Sequence, residues 1–151
     1  MERTLSALIR RDLGKKIVLL TGPRQSGKSW LSTHLDLRTH YLSYDDSDHR
    51  RIIREKSWDR NADLVVLDEL HEMPGWKSFL KGVYDVEGMP PALLVTGSAR
   101  LDIHRKAGES MAGRFFRYRL HPFDMKELAD RMEPSEVLGR ILTVGGFPEP
   151  F

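Results

Sequence analysis

Ile17-Val18-Leu19-Leu20-Thr21-Gly22-Pro23-Arg24-Gln25-Ser26-Gly27-Lys28-Ser29 decides the fold of this chain. Residues 17–20 form a continuous apolar run between Lys16 and Gly22. The run is too short for a helix, and it reads as a parallel strand buried on both faces. The residues from Gly22 to Ser29 then satisfy G-x-x-x-x-G-K-S/T without a mismatch. Glycines let successive backbone N–H groups approach an anion closely, and the helix that follows adds the positive end of its dipole. Strand, glycine-rich turn and helix in that order describe a loop that cradles phosphate.

Working outward, Leu5, Leu8, Ile9 and Leu13 recur at helical spacing, and Gly14 reads as their cap. After the loop a helix is expected through Trp30, Leu31 and Leu35, then a strand over 41–44 and a short charged helix carrying Ile52 and Ile53. Residues 64–67 and 93–95 are two further apolar runs. Between them Trp76, Phe79, Leu80, Val83 and Tyr84 follow the spacing of a helix packed on a sheet. A basic helical stretch is expected over 100–106. Phe116, Tyr118 and Leu120 alternate with Arg117 and Arg119, the pattern of an edge strand with one wet face. Asp124 and Glu127 have capping-box spacing, and Val137, Leu138, Ile141 and Leu142 form a last helix stopped by Gly145-Gly146. Apolar strands alternating with helices predict an α/β fold: a core of mostly parallel strands with helices on both faces. A short C-terminal helical tail follows. The expected division is a core over 1–131 and the start of a helical lid or linker over 132–151.

Lys28 is suited to bridge the β- and γ-phosphates of a nucleotide, and the Ser29 hydroxyl to hold Mg²⁺. Gly22, Pro23, Arg24, Gln25, Ser26, Gly27 and Trp30 complete the expected binding set. Asp68-Glu69 ends the run at 64–67. Ligands of parallel sheets sit at the carboxyl ends of the strands, so this pair faces the same crevice as the loop. Asp68 is placed to hold Mg²⁺ through water, and Glu69 to take a proton from a water attacking the γ-phosphate. Ser98 ends the third apolar run. It reads either as a turn serine or as a hydrogen-bond partner of that phosphate or water. No Asn-Lys-x-Asp stretch is present to read guanine, which favours ATP over GTP.

The chain has 151 residues, a length that suits a single core. It has no cysteine, which excludes disulfide frameworks and Cys-ligated metal sites and fits a cytoplasmic location. No apolar run is long enough to span a membrane. The net charge of +2 does not identify a nucleic-acid binder. The cationic surplus of Arg100, Arg105, Lys106, Arg114, Arg117 and Arg119 over Asp102 and Glu109 is either a solvated edge or a face for phosphate or nucleic acid. The six histidines lack metal-site spacing and read as surface residues, and Trp30, Trp58 and Trp76 read as packing residues rather than base-stacking platforms.

The blocks at 20–29, 66–71, 74–76, 94–98, 108–114, 118–123 and 145–148 keep an order and spacing that resembles the AAA+ ATPase domain of a widespread prokaryotic group. In that group the ATPase domain precedes a C-terminal domain of unknown function. The resemblance implies a five-stranded core with the second strand inserted between those carrying the two Walker motifs. It also implies Ser98 as the sensor-1 residue, and Arg114 as a finger arginine reaching a neighbouring subunit. For Arg114, capping the preceding helix or pairing with Glu109 is the alternative. His71 and Arg100 depart from the pattern, where Gln and a small residue are usual. The family's chains continue past this one, so it reads as an N-terminal fragment with low turnover of its own. The function expected is Mg²⁺-dependent ATP hydrolysis with water as nucleophile, with a homo-oligomer through Arg114 and a protein or nucleic-acid partner as open expectations. The rival is a nucleotide-binding switch that holds ATP for a partner with little turnover. A small-molecule kinase is disfavoured by Glu69.

Overall fold

The computed structural model describes residues 3–88, 91–98, 111–129 and 132–148. The basic stretch expected at 100–106, Glu109 and the boundary residue Arg131 lie outside them. In chain order the described elements are α1 (Thr4–Leu13), β1 (Ile17–Thr21), α2 (Lys28–Thr33), β2 (Thr39–Ser43), α3 (Ser47–Glu55), β3 (Leu64–Asp68), α4 (Trp76–Gly82), β4 (Ala92–Gly97), β5 (Phe115–Arg119), α5 (Met125–Leu128) and α6 (Pro134–Val144). The strands form one parallel five-stranded sheet in the order β2-β3-β4-β1-β5.

The apolar runs explain this order. Every residue of β1, β3 and β4 is buried, whereas β2 and β5 are largely half-exposed. Strands apolar on both faces occupy the middle, and those with a wet face take the edges. The strand inserted between β1 and β3 is therefore β4. The expectation that the second strand lies there is corrected, since β2, with only Leu42 fully buried among its five residues, forms the far edge.

Alternation along each strand sends side chains to opposite faces. Val18, Leu20, Leu64, Val66 and Leu94 pack with Ile9 and Leu13 of α1 and Leu31 of α2. Ile17, Leu19, Val65, Leu67, Leu93 and Val95 pack with Ile53 of α3 and with Leu80 and Val83 at α4. Helices thus cover both faces. One helix stops earlier than its apolar spacing implies. α2 ends at Thr33, where Thr33 Oγ1 and His34 Nδ1 bind the carbonyls of its last turn, and Leu35 is buried beyond it. α4 continues past Gly82 as a π-helical turn over Val83–Glu87, so the stretch through Tyr84 is helical as expected.

Arg3, at the start of α1, ties the ends of the described chain together. Its side chain is 3% exposed and donates from Nε to Glu127 Oε1 at 2.9 Å. It also donates to the carbonyls of Ser26 at 3.0 Å and His121 at 2.6 Å, and it lies over the Phe123 ring. Only half of the expected capping box forms: Asp124 accepts from the Glu127 N–H, while the Glu127 carboxylate turns to Arg3 and to the Thr4 N–H that opens α1. Gly146 sits so close to Phe123 that an added Cβ would lie 2.4 Å from its carbonyl oxygen, so the segment after α6 packs against the one before α5.

Removing one partner of a buried ion pair leaves the other uncompensated. Arg3→Ala is expected to lower the unfolding free energy by about 3 kcal/mol in urea titration. Arg3→Lys is expected to recover little, because an ammonium lacks the planar fork that serves three acceptors at once. A loss below ~1 kcal/mol for Arg3→Ala, the range of a surface pair, would contradict the assignment.

Candidate functional site

The loop after β1 and the acid pair after β3 meet at the carboxyl edge of the sheet. Gly22 must lack a side chain there, since an added Cβ would lie 2.3 Å from the Leu120 carbonyl oxygen. Gln25 (φ 61°) and Gly27 (φ 90°) are left-handed, which curls the loop so that its backbone faces one centre. Ser26 Oγ donates to the Pro23 carbonyl at 2.9 Å, and the Ser26 carbonyl is held from outside by Arg3. α2 opens at Lys28, directly after the turn.

Lys28 is buried although charged. Its Nζ donates to the carbonyls of Gly22 at 3.2 Å and Pro23 at 2.7 Å. Burial pushes its pKa down, opposed by Glu69 and Asp68. Ser29 Oγ donates to Asp68 Oδ2 at 3.1 Å. The Asp68 carboxylate also accepts from the hydroxyls of Tyr41 and Thr96. Burial, then the hydrogen bond to Asp68, pushes the Tyr41 phenol above its ordinary pKa. One carboxylate is therefore held by hydroxyls from α2, β2 and β4.

Glu69 has a left-handed backbone, φ 53°, uncommon for a residue with a side chain and characteristic of functional sites. Burial first, and then neighbouring Asp68, raises its pKa above the usual carboxylate range; His71 and Lys28 oppose this. A cleft of about 470 Å³ is lined by Arg24, Gln25, Gly27, Lys28, Ser29, Trp30, Glu69 and Pro148. Among the described residues no cluster of three or more His, Asp or Glu side chains could hold a metal on its own. The oxygens of Ser29 and Asp68 fit an ion such as Mg²⁺, which takes one or two carboxylates from protein and the rest of its shell from phosphate and water.

The structure brings Lys28, Ser29, Asp68 and Glu69 to one edge, and Ser98 follows β4, the strand between β1 and β3. Arg114 stands elsewhere. Its backbone carbonyl accepts from the Ile17 N–H at the opposite end of β1, and its guanidinium grips Asp85 at 2.8 and 3.1 Å. With a rise of about 3.3 Å per residue, the sheet separates it from its own phosphate loop by roughly 15 Å.

Two expectations are corrected. Trp58 is buried and Trp76 packs on the core, but Trp30 is 42% exposed and stacks on His34 beside the cleft, because the residue after Ser29 on α2 points away from the sheet. His71 is not a solvated histidine: its side chain is only 9% exposed and lies among Glu69, Glu72 and Ser98. Thr96 and Tyr41 escaped the sequence reading. Thr96 had a signal, a hydroxyl closing a wholly apolar run; Tyr41 and Arg3 had none, since their partners lie far along the chain.

The raised Glu69 pKa carries a stability consequence. A carboxyl that holds its proton more tightly when folded favours folding in acid, and that contribution is lost as the pH rises through the folded value. Glu69→Gln is therefore expected to melt higher than the parent at neutral pH. The gain should shrink toward zero as the pH falls below the unfolded value of about 4.3. Circular-dichroism melts of both proteins across that range check it, and a gain that grows in acid would contradict the direction of the shift.

The family model for the AAA domain matches residues 14–129. Uncharacterized proteins of Mycobacterium bovis and Mycobacterium tuberculosis are each 30% identical over 154 aligned residues, covering 99% of this chain. The chain spans about a third of their length (34%). The crystal structure of a Pyrococcus horikoshii signal-transduction ATPase with numerous domains, which carries a tetratricopeptide-repeat sensor, superposes with a TM-score of 0.63. That match covers 98% of this chain and 28% of that one at 13% identity, a likeness of fold. The phosphate loop, the sheet order and the extent of the family match agree, and this chain belongs to the AAA domain family of ATPases.

Proposed function

We propose that this chain binds ATP with Mg²⁺ at the cleft beside β1 and hydrolyses it with water as the nucleophile. The observation that carries the reading is the convergence of Lys28, Ser29, Asp68 and Glu69 on one edge of the sheet, with Lys28 and Glu69 lining the same cleft. Lys28 is bound to the carbonyls of its own loop and would turn from them to meet the β- and γ-phosphates. Charge neutralisation on those phosphate oxygens is the chemistry Mg²⁺ supplies when held by Ser29 and by Asp68 through water. Glu69 accepts the proton of the water whose oxygen attacks the γ-phosphorus. The bond from that phosphorus to the bridging oxygen breaks, and ADP leaves with its electron pair. A carboxylate with a raised pKa is the better base for that proton. Arg114, too far from its own loop, serves the nucleotide of a neighbouring copy once it is freed from Asp85.

Lys28→Ala is expected to weaken ATP·Mg²⁺ binding by about 2–5 kcal/mol, read by calorimetric titration, because the buried loop cation suited to the β- and γ-phosphates is lost. Parental affinity in that variant would refute the phosphate-loop assignment. Glu69→Gln is expected to keep affinity while phosphate release falls by roughly 10²–10⁴. Tight binding with no turnover in the parent would instead identify a nucleotide-held switch.

For Arg114, specific activity is expected to rise with protein concentration. A finger arginine is worth about 10³–10⁵ in rate, and Arg114→Ala is expected to abolish the rise without changing affinity. A variant as active as the parent at every concentration would leave Arg114 only its pairing with Asp85.

A further inference from the structure

His71 occupies the short turn Leu70–Glu72 that follows the acid pair. Leu70 is fully buried and pins the turn to the core, and the imidazole of His71 is only 9% exposed. Its Nδ1 lies 3.2 Å from Glu69 Oε2. The two are close but not aligned for a hydrogen bond, and Nδ1 is a buried nitrogen without a hydrogen-bond partner among the described residues. Its Nε2 lies 3.1 Å from Glu72 Oε1 and 3.3 Å from Ser98 Oγ. Glu72 is half exposed, so the inward partners of the ring are Glu69 on one side and Ser98 on the other.

We propose that His71 is a positioning residue that links Ser98 to Glu69, so that what the Ser98 hydroxyl touches sets the orientation of the Glu69 carboxylate. This rests on the hydrolysis reading given above. The imidazole suits the task because it is rigid and carries polar atoms at both ends. With the proton on Nδ1 the ring buries a donor without an aligned acceptor, which is costly, so in that tautomer it gains when the carboxylate swings into line. β3 and β4 are hydrogen-bonded neighbours, which holds Ser98 and the Leu70–Glu72 turn at a fixed separation. A phosphate oxygen or attacking water that engages Ser98 turns its hydroxyl. That changes what Nε2 meets, and through the ring it changes the hold on Glu69. Proton abstraction depends steeply on such alignment, since a misplacement of about 1 Å costs on the order of 10²-fold in rate.

The test uses side chains that copy one nitrogen at a time. Asn places its amide nitrogen near Nδ1, and Gln places its own near Nε2. His71→Ala is expected to lower kcat about 10- to 100-fold with little change in KM. His71→Asn, which keeps the hold on Glu69 but lacks the reach to Ser98, is expected to restore part of that loss, and His71→Gln, which lacks the hold on Glu69, less of it. Equal recovery by Asn and Gln, or parental kcat in His71→Ala, would overturn the link to Glu69. Ring ¹⁵N spectra of His71 supply a readout that needs no turnover. Nδ1 is expected to shift in Glu69→Gln. Addition of Mg²⁺ with the β,γ-imido analogue of ATP is expected to move the ring signals in the parent but not in Ser98→Ala. Signals that ignore Glu69→Gln, or that move alike with and without the Ser98 hydroxyl, would also overturn it. A Glu69→Gln variant with parental turnover would instead remove the hydrolysis reading, so the two failures are distinguishable.

Discussion

The carboxylate of Asp68 accepts from Ser29 at the start of α2, Tyr41 in β2 and Thr96 in β4, while its own backbone belongs to β3. Three hydroxyls from three elements converge on two oxygens that are almost entirely buried. A buried carboxylate without donors is costly in a medium of low dielectric, so these contacts hold one another in place. The arrangement sets the height of α2 over the sheet and so the position of the loop before it. It also places the next residue, Glu69, at the mouth of the cleft in a left-handed conformation.

Electrostatic cost accumulates around this point. Lys28 and Glu69 are both drawn out of water, and burial pushes each toward its neutral form. His71 adds a buried nitrogen without a hydrogen-bond partner among the described residues. Preorganised polar groups in a water-poor site act strongly on charge that develops there, and they need no reorganisation to do so. Stability lost at such positions is recovered from the uninterrupted apolar packing of β1, β3 and β4 on both faces.

The polarity of a parallel sheet separates the molecule into two edges with different tasks. The carboxyl edge carries the phosphate loop, the acid pair and Ser98. The opposite edge carries Arg114 and its partner Asp85. Arg3 reinforces the first edge from outside, joining the Ser26 carbonyl in the loop to His121 and Glu127 beyond β5. The loop is thereby coupled to the segment that leads into α6, and Pro148 beyond that helix returns to line the cleft. Among the described residues, no helix is long and apolar enough to cross a membrane.

The sequence by itself determined the strands, the phosphate loop and the acid pair, because each is written locally. A wholly apolar run can be satisfied only in the middle of a sheet, and the glycine, lysine and serine spacing of residues 22–29 serves one kind of turn. It also marked β5 as an edge, through its alternating arginines. The family resemblance misplaced the inserted strand: the apolar run at 93–95 suits a central place and the mixed strand at 41–44 an edge, but which of them sits beside β1 is decided only in the assembled sheet. The sequence reading took His71 for a surface residue because the ring is covered in part by Ser98, which lies 27 residues along the chain on the neighbouring strand's end. It had no means of seeing Arg3 meet Glu127 or Tyr41 meet Asp68, contacts 124 and 27 residues apart along the chain. Such contacts depend on the closure of the chain upon itself, and only the tertiary structure decided them.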